Sequence, residues 1–345
     1  MNDKKEGIKI IKTACVYIGM MFGAGFASGQ EHMAFFLRFG GFGIFGIVLA
    51  GVFIALCGWA IMDICVRQKI VSYKEFMELI FGRQLGAFLD IVSGAFIFVM
   101  LCAMLAGAGV LGGQAMGLSF SIGVIVMGVL CFVVLLFDIR GMVEINTFIS
   151  PVLVAGSLML GLYAIFGDAA PAFAASIWPV SAAIYASYNM LPAVAVLTAM
   201  PHLIASRGIA KKGAFLGGFI LIVIGVVLGF AMLINMGYIG ESGLPMLALA
   251  QGFGQVQGYL YTFILFLAII TTAVANSFSL ANWLASRISL PKLSIKIGII
   301  VLACFAAHLG FANIVSYGYS FFGFLGLFVV IAILIYFFKS FKTKK

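Results

Sequence analysis

Charged residues are scarce in this sequence of 345 residues. Asp, Glu, Lys and Arg make up only 9% of the chain, whereas hydrophobic residues make up 64%. An ordinary soluble domain has about 25% charged residues and about 45 to 50% apolar ones. The composition therefore excludes a soluble globular fold, and it leaves no room for a separate soluble domain.

Several signals of chemistry are also missing. The six cysteines do not show the paired spacing of metal or redox sites, so we interpret them as small buried apolar residues. The sequence has no nucleophile–base constellation, metal cluster or phosphate loop, which argues against an enzyme, and no obligate protein partner is evident. Long apolar runs, such as residues 91–111, are unlike the short alternating segments of membrane barrels. The expected fold class is an all-α integral membrane protein.

The lengths of the apolar segments, and the Gly, Pro and charged residues that separate them, predict ten transmembrane helices. They cover residues 8–38, 42–66, 86–113, 120–137, 142–167, 174–201, 213–238, 254–287, 294–311 and 314–338. We expect one transmembrane domain over residues 1–345. Residues 8–167 form the first five-helix repeat of this domain, and residues 174–338 form the second.

The basic residues support this count. With ten spans, 19 of the 20 Lys and Arg residues fall on the same side as both termini, and only Arg38 falls opposite. The positive-inside rule makes that side cytoplasmic. The net charge of +9 is therefore an orientation signal for the lipid bilayer, and no nucleic acid partner is expected. Between the second and third spans, residues 72–85 predict a short amphipathic helix at the cytoplasmic surface.

Two of the predicted helices contain interruptions. Residues 23–31, with the sequence Gly-Ala-Gly-Phe-Ala-Ser-Gly-Gln-Glu, interrupt the first, and residues 185–189 running into Pro192 interrupt the sixth. Each glycine costs a helix about 1 kcal/mol relative to Ala. Both interruptions share the order aromatic, Ala, Ser, any residue, amide, and an odd number of spans between them gives opposite orientations. This indicates a 5+5 inverted repeat with helices 1 and 6 broken, as in secondary transporters.

Unwound backbone inside a bilayer is tolerated where it lines a cavity or binds a ligand. Carbonyl groups near residues 23–26 are suited to a cation, and the N–H groups of Ala27, Ser28 and Gly29 favour an anionic group. The alternative is close helix packing at the glycines. The eighth predicted helix has a stripe of small and hydroxyl residues that serves either as cation ligands or as helix-packing contacts. The stripe consists of Ala268, Thr271, Thr272, Ala275, Asn276 and Ser279.

Glu31 is the one acidic residue within a few residues of a break. An intramembrane carboxylate is a candidate for function as a proton carrier, as the partner of a substrate amine or as a cavity-lining charge. The alternative is that neighbouring Asn or His residues hold it neutral. His32 and His308 either relay protons or simply pack within the bundle.

These features together resemble the amino acid, polyamine and organocation transporter superfamily, which has the LeuT fold. Residues 23–31 look like the signature of the YkvI-like bacterial membrane proteins. The resemblance implies a multi-pass transporter in the bacterial cell membrane, with both termini cytoplasmic. Access would alternate as helices 1, 2, 6 and 7 rock against helices 3, 4, 8 and 9.

The resemblance also implies ligand positions. Sodium-coupled members bind Na⁺ through two carbonyls of the helix-1 break, one helix-8 carbonyl and two hydroxyls that follow it. The residues matching these positions are Gly23, Phe26, Ala268, Thr271 and Thr272. Substrate lies between the two breaks, which implies Ala27, Ser28, Gly29, Tyr185, Ser187 and Asn189, to which we add Glu31.

We therefore expect a secondary active transporter of a small amino acid-like or amine solute, coupled to Na⁺ and without an organic cofactor. The alternatives are an H⁺-coupled carrier that uses Glu31, and a ligand-sensing receptor or channel on the same fold. One departure concerns the substrate. The third predicted helix has no tyrosine to meet a substrate carboxylate, unlike that of LeuT-type amino acid carriers.

Overall fold

A computed structural model describes residues 2–136, 142–165, 177–198, 200–239 and 242–342. The described chain is helical and contains no β-strand. Its helices are α1 (Asn2–Met21), α2 (Ala24–Ala27), α3 (Gln30–Phe35), α4 (Phe42–Gln68), α5 (Tyr73–Met116), α6 (Phe120–Leu136), α7 (Met142–Ala164), α8 (Trp178–Thr198), α9 (Arg207–Ile234), α10 (Met236–Ile239), α11 (Pro245–Phe253), α12 (Gln255–Ala285), α13 (Lys292–Ala306), α14 (Phe311–Asn313) and α15 (Ser320–Lys342). Two 3₁₀ turns cover Leu37–Phe39 and Ala307–Leu309, and a π-helical segment covers Ile314–Tyr319.

The predicted class is confirmed: this is an all-helical membrane protein. Seven stretches of the described chain are long and apolar enough to span a membrane. They are Phe42–Gln68, Tyr73–Met116, Trp178–Thr198, Arg207–Ile234, Gln255–Ala285, Lys292–Leu309 and Phe311–Ser340. Every predicted span overlaps helical residues of the structure. Residues 137, 166–167, 174–176 and 199 of the predicted spans lie outside the described residues.

The amphipathic helix predicted before the third span is present. Ser72 starts it, because its Oγ accepts a hydrogen bond from the backbone N–H of Glu75 at 3.3 Å. Phe76 is fully buried, whereas Lys74 is exposed. At Gly82 the backbone adopts a φ of 74°, which a glycine tolerates without strain, and the chain turns there into the long apolar part of α5.

Eight of the long helices pack as two groups, and α7 and α15 pack against members of both. One group contains α1, α4, α8 and α9, and the other contains α5, α6, α12 and α13. Small residues allow the helices of the first group to approach closely: a Cβ built on Gly218 of α9 would lie 2.5 Å from the Cβ of Ala55 in α4. Such contacts stabilise membrane helix pairs through van der Waals packing, since lipid supplies no hydrophobic driving force between helices.

The predicted break in the sixth helix is wrong, because α8 is continuous from Trp178 to Thr198. No glycine lies within it, and two of the polar side chains in the predicted interruption hydrogen-bond back to the helix. Ser187 Oγ donates to the carbonyl of Ala183 at 2.7 Å, and Asn189 Nδ2 donates to the carbonyl of Tyr185 at 3.0 Å. Pro192 removes one N–H donor, a loss that membrane helices tolerate.

Candidate functional site

The first membrane helix is broken as predicted. α1 ends at Met21, and Phe22 and Gly23 separate it from the single turn of α2. Ser28 and Gly29 then separate α2 from α3, and Gly29 has a φ of 81°, in the left-handed region that favours glycine. Residues 24–32 are all buried. The break is therefore enclosed by protein, where irregular backbone in a membrane can find partners.

The expected free N–H groups of this break are not free. The amide of Ala27 donates to the carbonyl of Gly23 at 3.0 Å, and that of Ser28 donates to Ala24 at 2.8 Å. The amide of Gly29 donates to the carbonyl of Phe26 at 3.1 Å. In this conformation α2 winds into a complete turn that uses all three donors, so the binding of an anion by these amides stays a prediction.

Neighbouring helices donate hydrogen bonds to the backbone carbonyl groups at the end of this turn. The hydroxyl of Tyr261 in α12 donates to the carbonyl of Ala27 at 2.6 Å. The amide of Met246 in α11 donates to the carbonyl of Ser28 at 2.9 Å. A Cβ on Gly29 would lie 2.7 Å from the Sδ of Met232 and 3.0 Å from the Cγ of Met246. The end of the break at Ser28 and Gly29 is thus covered by α11 and α9.

The residues implied for Na⁺ lie where α2 packs against α12. A Cβ built on Gly23 would lie 3.6 Å from the Oγ1 of Thr272. Thr271 Oγ1 donates to the carbonyls of Leu267 at 2.7 Å and Ala268 at 3.2 Å, which leaves its lone pairs available as acceptors. The structure therefore brings Gly23 and Thr272 together, with Thr271 and Ala268 on the same helix.

Phe26, the other residue implied for the cation, differs in its surroundings. Its carbonyl accepts the amide of Gly29, and its ring packs on Phe22 and His32 with centroid distances of 4.8 and 4.7 Å. Only the second lone pair of that carbonyl is available to a cation.

Glu31 is buried and meets α8. Its Oε2 accepts a hydrogen bond from the hydroxyl of Tyr185 at 3.0 Å. Within the described residues, no Lys, Arg or His forms an ion pair with it. A Cβ on Gly25 would collide with the carboxyl group, so glycine at this position allows the carboxylate to lie against α2.

Of the three α8 residues implied for substrate, only Tyr185 reaches the broken helix through its side chain. The side chains of Ser187 and Asn189 bond to their own helix, as described above. The backbone of Ser187 faces α15, since a Cβ on Gly326 would lie 2.8 Å from its carbonyl oxygen. The structure does not gather these three side chains around one point.

Two tyrosines beside Glu31 were not predicted from the sequence. Tyr188, one turn after Tyr185, packs on it with a centroid distance of 5.3 Å. Tyr319 ends the π-helical segment and packs on Tyr188 at 5.0 Å. The spacing of Tyr185 and Tyr188 by three residues was a usable signal, because such residues share a helical face. Nothing in the sequence linked Tyr319 to them.

The ring of His32 lies close to α9. It is buried with its ring near Gly225, and neither ring nitrogen makes a hydrogen bond of normal geometry with a described residue. A cavity of about 20 Å³ lies beside it and is also lined by Tyr185. A cavity of this size holds about one water molecule.

Comparisons with known proteins agree with this architecture. The chain is 28% identical over 327 residues to the uncharacterized membrane protein YkvI of Bacillus subtilis (strain 168), covering 93% of this chain and 94% of YkvI. It is 27% identical over 331 residues to the uncharacterized protein YyaD of the same organism, covering 94% of this chain and 96% of YyaD. No protein-family model matches the chain.

Two solved transporters share the fold. The manganese transporter of Eremococcus coleocola superposes with a TM-score of 0.63 at 14% identity, covering 94% of this chain and 78% of that one. A Na⁺-coupled sialic acid symporter in a substrate-bound outward-open state gives 0.62 at 14% identity, covering 92% and 76%.

The fold is that of membrane transporters. At the level of sequence, the chain is similar to YkvI over nearly its whole length, and the predicted resemblance to YkvI-like membrane proteins is confirmed. The structural neighbours are transporters rather than enzymes. Within the described residues, no group of three His, Cys, Asp or Glu side chains is arranged to hold a metal ion.

Proposed function

We propose that this protein is a secondary active transporter of a small amino acid-like or amine solute, driven by Na⁺. The observation that carries the proposal is the broken first helix, which is buried and packs against the hydroxyl-bearing face of α12. Gly23 and Phe26 of the break, with Ala268, Thr271 and Thr272 of α12, are the proposed Na⁺ ligands. Oxygen-only ligands of this kind suit a hard cation.

The proposed topology has ten spans in a 5+5 inverted repeat, residues 8–167 and 174–338, within one domain. Both termini are cytoplasmic, and the protein lies in the cell membrane. The two packed groups support this arrangement, because α1, α4, α8 and α9 correspond to the helices proposed to rock, and α5, α6, α12 and α13 to those proposed to stay fixed. Because α8 is continuous, the irregular backbone proposed to bind ligands comes from the break in helix 1 alone.

The ion pairs are consistent with such rocking. Asp63 of α4 pairs with Arg207 of α9 at 2.6 Å, which joins two members of the first group. Asp90 of α5 pairs with Arg287, which follows α12, and this pair joins two members of the second group. Each pair therefore ties helices of one group together, and neither would have to break when the groups move.

Substrate is proposed to bind between the broken helix and α8, at Ala27, Ser28, Gly29 and Glu31 with Tyr185, and with Ser187 and Asn189 in conformations that free their side chains. The test is counterflow in proteoliposomes with labelled solutes, in NaCl and in matched KCl. A Na⁺-driven carrier accumulates label only in NaCl. Binding without flux would instead indicate a receptor, and flux that never concentrates solute would indicate a channel.

A second candidate is H⁺ coupling through Glu31, favoured by the burial of a carboxylate that has no cationic partner among the described residues. The titratable side chains around it are the hydroxyls of Tyr185, Tyr188 and Tyr319, with His32 next in sequence. Glu31→Gln keeps the shape of the side chain and removes the proton site. For H⁺ coupling, the variant loses stimulation by an imposed pH gradient. A wild-type response to the gradient would eliminate this candidate.

A further inference from the structure

An apolar groove runs between α6 and α13, and its volume is about 470 Å³. Its lining consists of five residues of α6, between Val124 and Phe132, five residues of α13, between Ile297 and Phe305, and His308. Apart from His308, this lining is apolar. With the turn that follows it, α13 is one of the stretches that can span a membrane, and α6 is a shorter apolar helix. The groove therefore lies at membrane depth.

Two polar contacts between the helices mark the ends of the groove. At one end, Lys296 Nζ donates a hydrogen bond to the carbonyl of Leu135 at 2.5 Å, which joins the start of α13 to the end of α6. At the other end, His308 Nε2 and Ser121 Oγ are hydrogen-bonded at 3.2 Å. The two helices are thus antiparallel, and the groove has a basic end at Lys296 and a neutral hydroxyl at the opposite end.

The groove has the length of a lipid tail. At about 1.5 Å per residue, α13 and its following turn rise about 17 Å between Ile297 and His308. The hydrocarbon core of a bilayer is about 30 Å thick, so this length is close to that of one leaflet. The helices touch beneath the groove, since a Cβ on Gly128 of α6 would lie 2.7 Å from the Sγ of Cys304 in α13. An extended acyl chain from one leaflet therefore fits along it.

The Lys296 end of the groove attracts an anion. Lys292 lies one turn before Lys296, and residues four apart share a face of a helix. The Lys296 ammonium has three N–H donors, of which the carbonyl of Leu135 uses one, so two remain for another acceptor. Neither α6 nor α13 contains an acidic residue, and the sequence between α6 and α7 has one charge of each sign, Asp138 and Arg140. The lysines therefore leave this end with a positive charge.

The start of α13 adds to this attraction. The helix begins at Lys292, directly after Pro291, and no side chain caps its first amides. A helix N-terminus carries the positive end of the helix dipole and binds phosphate groups through its free amides. In the proposed topology this end lies on the cytoplasmic side, where basic pockets between membrane helices bind the headgroups of anionic lipids.

We propose that the groove between α6 and α13 binds one anionic phospholipid. Its phosphate contacts Lys292, Lys296 and the first amides of α13, and one of its acyl chains lies along the groove toward His308. The inference goes beyond the proposed function, because it assigns a lipid site away from the broken helix, on the group of helices proposed to stay fixed. A second copy of the chain, paired here about an axis along the membrane normal, would instead bring like lysines together.

The test measures the thermal unfolding midpoint of the delipidated full-length protein in detergent as dimyristoylphosphatidylglycerol is added. Dimyristoylphosphatidylcholine has the same chains with a zwitterionic headgroup, and sodium phosphate presents the anion alone. We expect saturable stabilisation by phosphatidylglycerol, since a ligand that binds only the folded state raises its stability. Phosphatidylcholine should need at least an about fivefold higher concentration, and free phosphate at the lipid concentration should have no effect. Native mass spectrometry should find one phosphatidylglycerol retained per chain.

Lysine variants test the headgroup site. Lys292→Gln/Lys296→Gln should raise the half-saturating concentration of phosphatidylglycerol by about ten- to thirtyfold, because each lysine near an anionic lipid headgroup contributes to binding. The matched control is Lys9→Gln/Lys12→Gln in α1, which removes the same charge from the same proposed side of the membrane. This control should stay within about twofold of wild type, since its lysines lie on a helix that does not line the groove.

Groove variants test the chain site. Val129 lines the groove and is 55% exposed, so the larger side chain in Val129→Trp would occupy the space of the acyl chain. We expect the half-saturating concentration of phosphatidylglycerol to rise at least about tenfold, because the chain loses apolar contact area. Val126→Trp is the matched control on the same helix, as Val126 is 51% exposed and does not line the groove.

Folding of each variant is checked by a single elution peak and by its unfolding midpoint without lipid. Where Val129→Trp fails this check, the two lysine double variants decide. Equal stabilisation by the two lipids, stabilisation by free phosphate alone, or equal losses in the control variants would overturn the inference. A dimer in lipid-free detergent that Val129→Trp dissociates would also overturn it, by showing that a second copy covers the groove. These outcomes leave the proposed transporter standing, whereas loss of any Na⁺ response and of any flux overturns the proposed function and not the lipid site.

Discussion

Tyr185 donates a hydrogen bond to the buried carboxylate of Glu31 over 3.0 Å, and this contact joins the broken first helix to the continuous helix α8. The two residues lie 154 positions apart in the chain. In the proposed transporter, the contact sits between the helix that supplies the irregular backbone and the helix that supplies the aromatic rings. Changes at either residue should therefore affect both stability and ligand binding.

We expect Tyr185→Phe to destabilise the protein by about 1–3 kcal/mol, because it removes a hydrogen bond to the buried carboxylate. Chemical denaturation in detergent measures the loss. In Glu31→Gln/Tyr185→Phe, the two effects should not add, since both variants change the same hydrogen bond: Gln keeps an acceptor oxygen but removes the charge, and Phe removes the donor. Tyr238→Phe is the control, as Tyr238 is 76% exposed, and it should change stability by less than about 0.5 kcal/mol. Strictly additive effects of Glu31→Gln and Tyr185→Phe would argue against the contact.

Thr271→Ala/Thr272→Ala should abolish Na⁺-dependent transport and the stabilisation of the protein by NaCl, because it removes both proposed hydroxyl ligands. Thermal unfolding in NaCl and KCl at equal ionic strength measures the second effect. Thr262→Ala is a matched control on the same helix. Its hydroxyl bonds the carbonyl of Gly258 at 2.8 Å in the same manner as that of Thr271 bonds Leu267. An unchanged Na⁺ response in the double variant would rule out this Na⁺ site.

Gly25→Ala should destabilise the protein by about 1–3 kcal/mol, the usual effect of overpacking. The new Cβ would collide with the Glu31 carboxyl group and push it away from Tyr185. The control is Gly252→Ala in α11, where a Cβ meets nothing within 4 Å. Equal unfolding midpoints for Gly25→Ala and wild type would show that the carboxylate does not lie against α2.

Asp63→Asn should lower stability by about 1–3 kcal/mol, because it removes the charge of the buried carboxylate that pairs with two arginines. Asp63 is 1% exposed, forms an ion pair with Arg67 at 2.7 Å and accepts a hydrogen bond from Arg207 at 2.6 Å. Arg207→Gln should cost less, since Arg67 still neutralises the carboxylate. Lys74→Ala serves as the surface control, because its pair with Glu78 is exposed and long, at 3.9 Å. A larger loss for Arg207→Gln than for Asp63→Asn would contradict this ranking.

Local sequence predicted the features that depend on local chemistry. Apolar runs predicted the membrane helices, and glycine spacing predicted the break between α1 and α3, because glycine weakens a helix wherever it stands. The same reasoning failed at α8. A polar run that ends in Pro192 looked like an interruption, but Ser187 and Asn189 satisfy their side chains on their own helix and leave it intact.

The sequence by itself determined the membrane class and the break in the first helix, and it singled out Glu31 as a candidate for function, since composition and a rare intramembrane charge are visible without coordinates. Only the tertiary structure decided what Glu31 meets. Tyr185 and Tyr319 come from distant helices, and their approach to Glu31 depends on how α8 and the π-helical segment pack. Likewise, whether the amides of the break are free depends on whether α2 completes its turn, which packing against α11 and α12 controls.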